Sequence, residues 1–323
     1  MRGLTQPPKK DTAGRAASRV LFLLILAIVA GLAIYATVIN QRIPLVEDTD
    51  TDGLELGEPS VVDGLTINVV EDEGGPTPVV FLHDIDVTGG LVLADASAAL
   101  PGDYRGVRVD RPGYGYSDRL PFETQLHTAA GQAEIIAGVL ADRFTAPVIV
   151  VGIGFGGDVA ADLAYSYPDL VSGLVLVDTD FDATSGFVTS LQTLPWVGTA
   201  ATFTWETGGR FALDNWSPHC AEGGWCPTPD QVAMRSFITS IQGSTETIFH
   251  FRRTPEAALA PANLADLRTP IAYVWSTNGS VSSDTVDELE AGIPGMSVIE
   301  SVTFQAHLEE PSSIASAISA LQG

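Results

Sequence analysis

The segment Val150-Val151-Gly152-Ile153-Gly154-Phe155-Gly156-Gly157 has the spacing of a nucleophile-bearing turn. A run of β-branched residues, Val148 to Val151, enters a Gly-x-?-x-Gly turn, and a helix opens near Phe155. In G-x-S-x-G sequences the central residue is a serine whose Oγ attacks an acyl carbon. Here that residue is Gly154, which has no side chain. The turn is kept and the reactive group is missing. Glycine also relieves the backbone strain such a turn imposes on its central residue, on the order of 1 kcal/mol.

The elements around this turn alternate. Val148 to Val151 (with Pro147) reads as a strand and Phe155 to Tyr167 as its helix. Before them, Leu65 to Glu71 and Pro78 to Leu82 read as a hairpin of strands. Leu91 to Leu100 reads as a helix, Gly106 to Asp110 as a strand, and Thr128 to Phe144 as a helix. After them come strands at Val171 to Val177, Pro270 to Trp275 and Met296 to Val302, and helices at Ser283 to Ala291 and Ser312 to Leu321. Strands alternating with helices predict a mostly parallel α/β sheet covered on both faces. Residues 180–263 interrupt the alternation and hold Trp196, Trp205, Trp216 and Trp225, which predicts an inserted cap over the carboxyl edge of the sheet. Open α/β sheets bind ligands at that edge.

From Val61 to the end, the chain resembles a capped α/β-hydrolase. The landmarks occur in order: Val79-Val80-Phe81-Leu82-His83, then Asp110-Arg111-Pro112-Gly113-Tyr114-Gly115-Tyr116-Ser117, the turn at Gly154, Leu174-Val175-Leu176-Val177-Asp178, and His307-Leu308-Glu309-Glu310-Pro311. The resemblance implies a serine at 154, an acid at 279 and a histidine at 304. The chain has Gly154, Gly279 and Phe304 there. A serine triad needs a base to take the proton and an acid to orient that base, so all three roles stand empty. The fallback base is His307 and the fallback acid is Asp178, in a position some relatives use. Residue 84, glycine in the family pattern, is Asp84 here. A carboxylate about 5 Å from a developing oxyanion costs about 3 kcal/mol at an effective dielectric near 20. Phe155, Asp84 and His83 are expected to line the ligand site.

Composition sets the outer limits. The first 42 residues carry Arg2, Lys9, Lys10, Arg15, Arg19 and Arg42 against Asp11, which is +5 and leaves −24 − 5 = −29 for the rest. A domain this acidic repels phosphate backbones and excludes nucleic acid as a partner. Residues 20–39 form an uncharged run of mostly apolar residues, long enough at about 1.5 Å per residue to span a bilayer core. Basic residues before it and acids after it orient a membrane anchor with residues 1–19 in the cytoplasm and the domain outside. A signal peptide cleaved near Ala36 is the competing reading. An acidic linker, 40–60, contains Asp48-Thr49-Asp50-Thr51-Asp52-Gly53, the first half of a calcium loop whose twelfth position is Pro59. Cys220 and Cys226 are the only cysteines, and an extracytoplasmic location favours a disulfide between them over two free thiols.

The sequence therefore predicts a membrane-anchored, non-catalytic ectodomain (61–323) that binds a small molecule or a protein and has no cofactor or metal. The alternative is an esterase-like hydrolase with displaced residues such as His307.

Overall fold

The computed structural model describes residues 20–31, 34, 56–120, 125–181, 220, 224–241, 243–251 and 261–322. Its centre is set by Val148–Ile153 (β6), six residues that are all buried. A strand covered on both faces needs apolar residues at every position, and this one has them. Val148 and Val150 pack into one core, while Ile149, Val151 and Ile153 pack into the core on the opposite face.

β6 lies between Thr77–Leu82 (β4) and Val171–Val177 (β7) in a seven-stranded sheet. With Val69–Glu71 (β3), Tyr104–Val109 (β5), Ile271–Ser276 (β8) and Ser297–Ser301 (β9), the order is β3-β5-β4-β6-β7-β8-β9. Every pair is parallel except β3 with β5. The expected hairpin between 65–71 and 78–82 does not form. Ser60–Val62 (β1) and Leu65–Ile67 (β2) make a separate two-stranded sheet, and β3 pairs with β5 instead of β4. The 74–75 glycines account for this. A side chain at Gly75 would strike the Asp103 backbone, so the chain there is pressed against the entry to β5.

Taking the 20–31 helix as α1, the helices that cover the sheet are Ala94–Ala98 (α2), Ala129–Arg143 (α3) and Phe155–Ser166 (α4), followed later by Ser283–Gly292 (α8), Ala306–Glu309 (α9) and Ser312–Ala320 (α10). The predicted 91–100 helix is a 3-10 turn, Gly89–Leu93, running into α2. Thr128 caps α3 by accepting the Gly131 N–H at 3.0 Å, which satisfies a donor the helix leaves unpaired.

Between β7 and β8, where the cap was expected, the described helices are Pro229–Ser240 (α5), Ser244–Phe251 (α6) and Pro261–Leu264 (α7). Thr228 and Gln231 form a reciprocal capping box at the start of α5. Trp196, Trp205 and Trp216 lie outside the described residues, as does most of the calcium-like loop. Cys220 and Cys226 form a disulfide with Cα atoms 4.9 Å apart. In the expected 20–39 span, 20–31 is helical, about 18 Å at 1.5 Å per residue. Among the described residues no helix is long and apolar enough to cross a membrane.

Leu176 is fully buried in β7, so Leu176→Ala leaves a cavity and is expected to lower unfolding stability by about 3 kcal/mol. Val302, 79% exposed, is the control: Val302→Ala should change stability by no more than about 0.5 kcal/mol. Urea midpoints at constant slope read both, and equal losses would refute this assignment of the core.

Candidate functional site

The parallel register builds the site. Leu82 lies opposite Gly152, so the chain leaving β4 places His83 and Asp84 beside Ile153 and Gly154. Ile153 lies opposite Val177, so Asp178 falls next in line on the other side. Residues 84, 154 and 178 thus meet at the carboxyl edge although 70 and 24 positions separate them in sequence.

Gly154 caps α4 with φ 51° and ψ −122°, a backbone region costly for any residue with a side chain. Its N–H donates to the Val177 carbonyl at 2.9 Å, and its carbonyl accepts from Gly157 N at 2.8 Å. The turn is tightened by Gly156, where a Cβ would stand 2.3 Å from the Leu82 carbonyl oxygen. At Gly154 itself a Cβ would stand 2.4 Å from Asp84 Cγ and 2.5 Å from Asp84 Oδ1. The Asp84 carboxylate therefore occupies the place where a side chain at the elbow would begin.

Asp84 Oδ1 accepts the Phe155 N–H at 2.9 Å. The Ile85 N–H also holds this carboxylate. Donors of this kind would otherwise face a developing oxyanion. The residue remains exposed to solvent. The protein packed around its carboxylate raises its pKa, opposed by the Phe155 and Ile85 N–H groups and by Arg111.

The loop carrying Asp84 is fixed from below. Arg111 is fully buried, and its backbone N–H donates to His83 Nε2 at 3.0 Å. That leaves His83 Nδ1 as the protonated nitrogen, which donates to the Asp84 carbonyl. Burial, with Arg111 second, depresses the His83 pKa well below its ordinary value, so the ring is neutral. The Arg111 guanidinium donates to the His83 carbonyl at 2.8 Å, to the Asp84 carbonyl at 3.0 Å and to Gln132 Oε1. It also lies 4.6 Å from the Tyr114 ring centroid and 5.0 Å from that of Phe155. From above, Arg235 of α5 holds Asp86 through two contacts of 2.8 and 2.7 Å. Burial would raise the Asp86 pKa, but Arg235 and the Thr88 donors outweigh it and hold it low.

The other expected residues divide. Asp178 lies at the edge, but its carboxylate is committed to Ser276 N at 2.7 Å and Ser276 Oγ at 2.6 Å. Ser276 Oγ in turn accepts Ala306 N at 2.8 Å, so Asp178 ties β7, β8 and the 304–306 loop together. Gly279 and Phe304 are neighbours: a Cβ on Gly279 would stand 3.0 Å from the Phe304 carbonyl oxygen. His307 lies on α9, which packs against α2 and the 89–93 turn. Burial lowers its pKa to about 4, against the opposing pull of Asp86.

Asp158, on α4, was not singled out by its sequence. It is 8% exposed, and its Oδ1 has no hydrogen-bond partner. Burial first, then Asp180, Asp84 and Asp162, raise its pKa to about 8 against the pull of Arg111. An acid in the first turn of a helix ordinarily reads as a partner for the helix dipole, which is why the sequence concealed it. A cavity lined by Asn68, Arg108, Asp110, Tyr116 and Met234 lies away from the elbow and has room for about one water.

Gly154→Ala combines positive φ with a clash against Asp84, and is expected to cost about 3 kcal/mol. In an Asp84→Gly background the cost should fall by about 1 kcal/mol or more, read as a coupling energy from denaturation midpoints. Strict additivity would mean that Asp84 does not fill the elbow.

Residues 79–311, more than two thirds of the chain, match the Alpha/beta hydrolase family. Over 110 residues the chain is 36% identical to a pimeloyl-[acyl-carrier protein] methyl ester esterase of Chromobacterium violaceum, covering 34% of this chain and 40% of that protein. Over 114 residues it is 32% identical to a 2-(acetamidomethylene)succinate hydrolase of Mesorhizobium japonicum, covering 35% and 39%. The matched part thus spans about two fifths of the length of these relatives. Among solved structures, a putative epoxide hydrolase from Pseudomonas aeruginosa superposes with a TM-score of 0.66 at 18% identity, covering 84% of this chain and all of that one. That likeness is one of fold, and with the match over residues 79–311 it means that the chain belongs to the alpha/beta hydrolase family.

Proposed function

We propose that this chain is a hydrolase whose reactive group has moved from the elbow to the neighbouring loop, with the Asp84 carboxylate in place of the serine. One observation carries the reading: the carboxylate of Asp84, an exposed residue, lies where a side chain at Gly154 would begin, with Oδ1 on the Phe155 N–H. The hydrolase names of the two relatives support it over a purely non-catalytic domain.

The chemistry follows from the geometry. Carboxylates serve as covalent nucleophiles. Asp84 Oδ2 bonds to an electrophilic carbon, and the leaving group departs with the electron pair of the broken bond. Water then adds to Asp84 Cγ and gives its proton to solvent. The charge that develops on Oδ1 falls where the Phe155 N–H already donates. The Cγ–Oδ2 bond breaks, Oδ2 leaves in the alcohol with the second proton of the water, and the water oxygen completes the restored carboxylate. Residue 154 must be glycine in this scheme, because any side chain there would displace Asp84. His307 has no part in it.

A second reading, a binding domain without turnover, is favoured by the same hydrogen bond. With Asp84 on the Phe155 N–H, that donor is not available to a substrate oxyanion, and Gly279 and Phe304 supply neither acid nor base. Under either reading we propose that residues 20–39 anchor the chain in a membrane with the folded domain outside and that small molecules are its ligands. Carbonate extraction of membranes from expressing cells tests the anchor, and release of the full-length chain into the wash would refute it.

The hydrolytic reading predicts a covalent adduct. The full-length chain is to be incubated with panels of chromogenic esters, epoxides and alkyl halides, and the Asp84 peptide followed by mass spectrometry. An adduct on Asp84, and turnover lost by 100-fold or more, roughly, in Asp84→Asn but kept in His307→Ala, is the expected result. Turnover abolished by His307→Ala and untouched in Asp84→Asn would sink it; no turnover and no adduct would leave the binding reading.

A further inference from the structure

We propose that Gln132 is a positioning residue for Asp84: its neutral amide aims the buried Arg111 guanidinium at the Asp84 main chain and leaves the guanidinium charge uncancelled beside the Asp84 carboxylate. The inference rests on the reading of Asp84 as the reactive group.

Gln132 lies near the start of α3 and is 1% exposed. Its Oε1 accepts from Arg111 Nη1. Its Nε2 has no hydrogen-bond partner. The amide cannot be turned over, because an NH2 group facing a guanidinium sets donor against donor. The contact with Arg111 therefore fixes its orientation, and a buried donor is left unpaired to keep it. A side chain that only filled space would carry no such cost. Leucine, of similar size, has no polar atom to leave unpaired.

The guanidinium that Gln132 orients works in three directions. Nη1 meets Gln132, Nε meets the His83 carbonyl at 2.8 Å, and Nη2 meets the Asp84 carbonyl at 3.0 Å. The fork is planar and rigid, so holding one arm sets the other two. None of these acceptors is a carboxylate. Buried arginines are matched to carboxylates by two parallel hydrogen bonds. A carboxylate at position 132 would draw the fork in this way and cancel its charge. An amide accepts the hydrogen bond and cancels nothing. Arg111 thus stays positive while bonded to the main chain of Asp84, and it opposes the rise in pKa that burial imposes on that carboxylate.

The arrangement has a pH signature. Burial and Asp86 raise the Asp84 pKa, and the Phe155 and Ile85 N–H groups and Arg111 lower it. Asp158 of α4 and Asp178 after β7 are further carboxylates on which Asp84 acts, and His83 beside it is neutral. In this set Arg111 alone is positive. A carboxylate at 132 would remove its field, and the Asp84 pKa would rise. Only the ionised form is a nucleophile, so the onset of Asp84 reactivity should move to higher pH by about one unit in Gln132→Glu.

The full-length chain, in detergent, is to be labelled with a water-soluble carbodiimide and an amine, which capture protonated carboxyl groups. The Asp84 peptide is followed by mass spectrometry as pH is varied. Wild type and variants are compared at each pH. The midpoint for Asp84 is expected about one pH unit higher in Gln132→Glu. Gln132→Leu loses the acceptor and adds no charge. It should keep the wild-type midpoint and slow adduct formation with the chromogenic electrophiles about tenfold at saturating substrate, with half-saturation unchanged. Circular dichroism melts check that each variant is folded. If Gln132→Leu does not fold, the isosteric Gln132→Glu decides alone. An unmoved midpoint in Gln132→Glu, or a wild-type rate in folded Gln132→Leu, would overturn the inference. A raised midpoint with no adduct on Asp84 from any electrophile would remove the hydrolytic reading and leave Gln132 holding Asp84. An adduct with an unmoved midpoint would do the reverse.

Discussion

The hydrogen bond from the Phe155 N–H to Asp84 Oδ1 joins the two loops that meet at the carboxyl edge of the sheet. It depends on a missing atom. A Cβ at 154 would stand within 2.4 Å of the Asp84 carboxyl carbon, so the glycine and the aspartate are two halves of one arrangement. Glycine at 154 admits a carboxylate to the space where a side chain would begin, and the Phe155 N–H holds that resident anion.

That anion is tolerated because the surroundings are built for it. Arg111, His83 and Gln132 fix the backbone of the loop from the buried side, with His83 neutral and its tautomer set by the Arg111 N–H. Arg235 of α5 fixes it through Asp86. Two arginines thus clamp the loop through backbone carbonyls and through Asp86, and the Asp84 carboxylate is left to the Phe155 N–H. Breaking a largely desolvated pair such as Arg235–Asp86 would leave a charge uncompensated, so α5 and the loop are held together.

Much of the fold was legible in the residues. The strand-and-helix alternation from Val69 onward and the turn at Gly154 reflect local rules: buried parallel strands are apolar throughout, and tight turns need glycine. The hairpin expected at 65–82 failed because strand pairing is non-local. β3 and β4 are neighbours in sequence, yet the register of β5 separates them. The paired cysteines were legible as a disulfide, because only two exist and few residues separate them.

The candidate site was legible by residue and not by role. Sequence alone determined that residue 154 has no side chain, that positions 279 and 304 hold no acid or histidine, and that an acid follows His83. It suggested that this acid opposes an oxyanion, since a carboxylate near a carbonyl is repulsive wherever it points. Tertiary structure decided where it points. The parallel register Leu82↔Gly152 sets Asp84 against the elbow, Val177↔Val274 sets Asp178 against Ser276, and α9 packs His307 against α2 and the 89–93 turn. Asp158 became visible only in three dimensions, because burial and the company of other carboxylates depend on the packing of residues distant in sequence. Residue identities fix which groups are available to do chemistry; the distances between them, and hence which chemistry, are fixed by strand register.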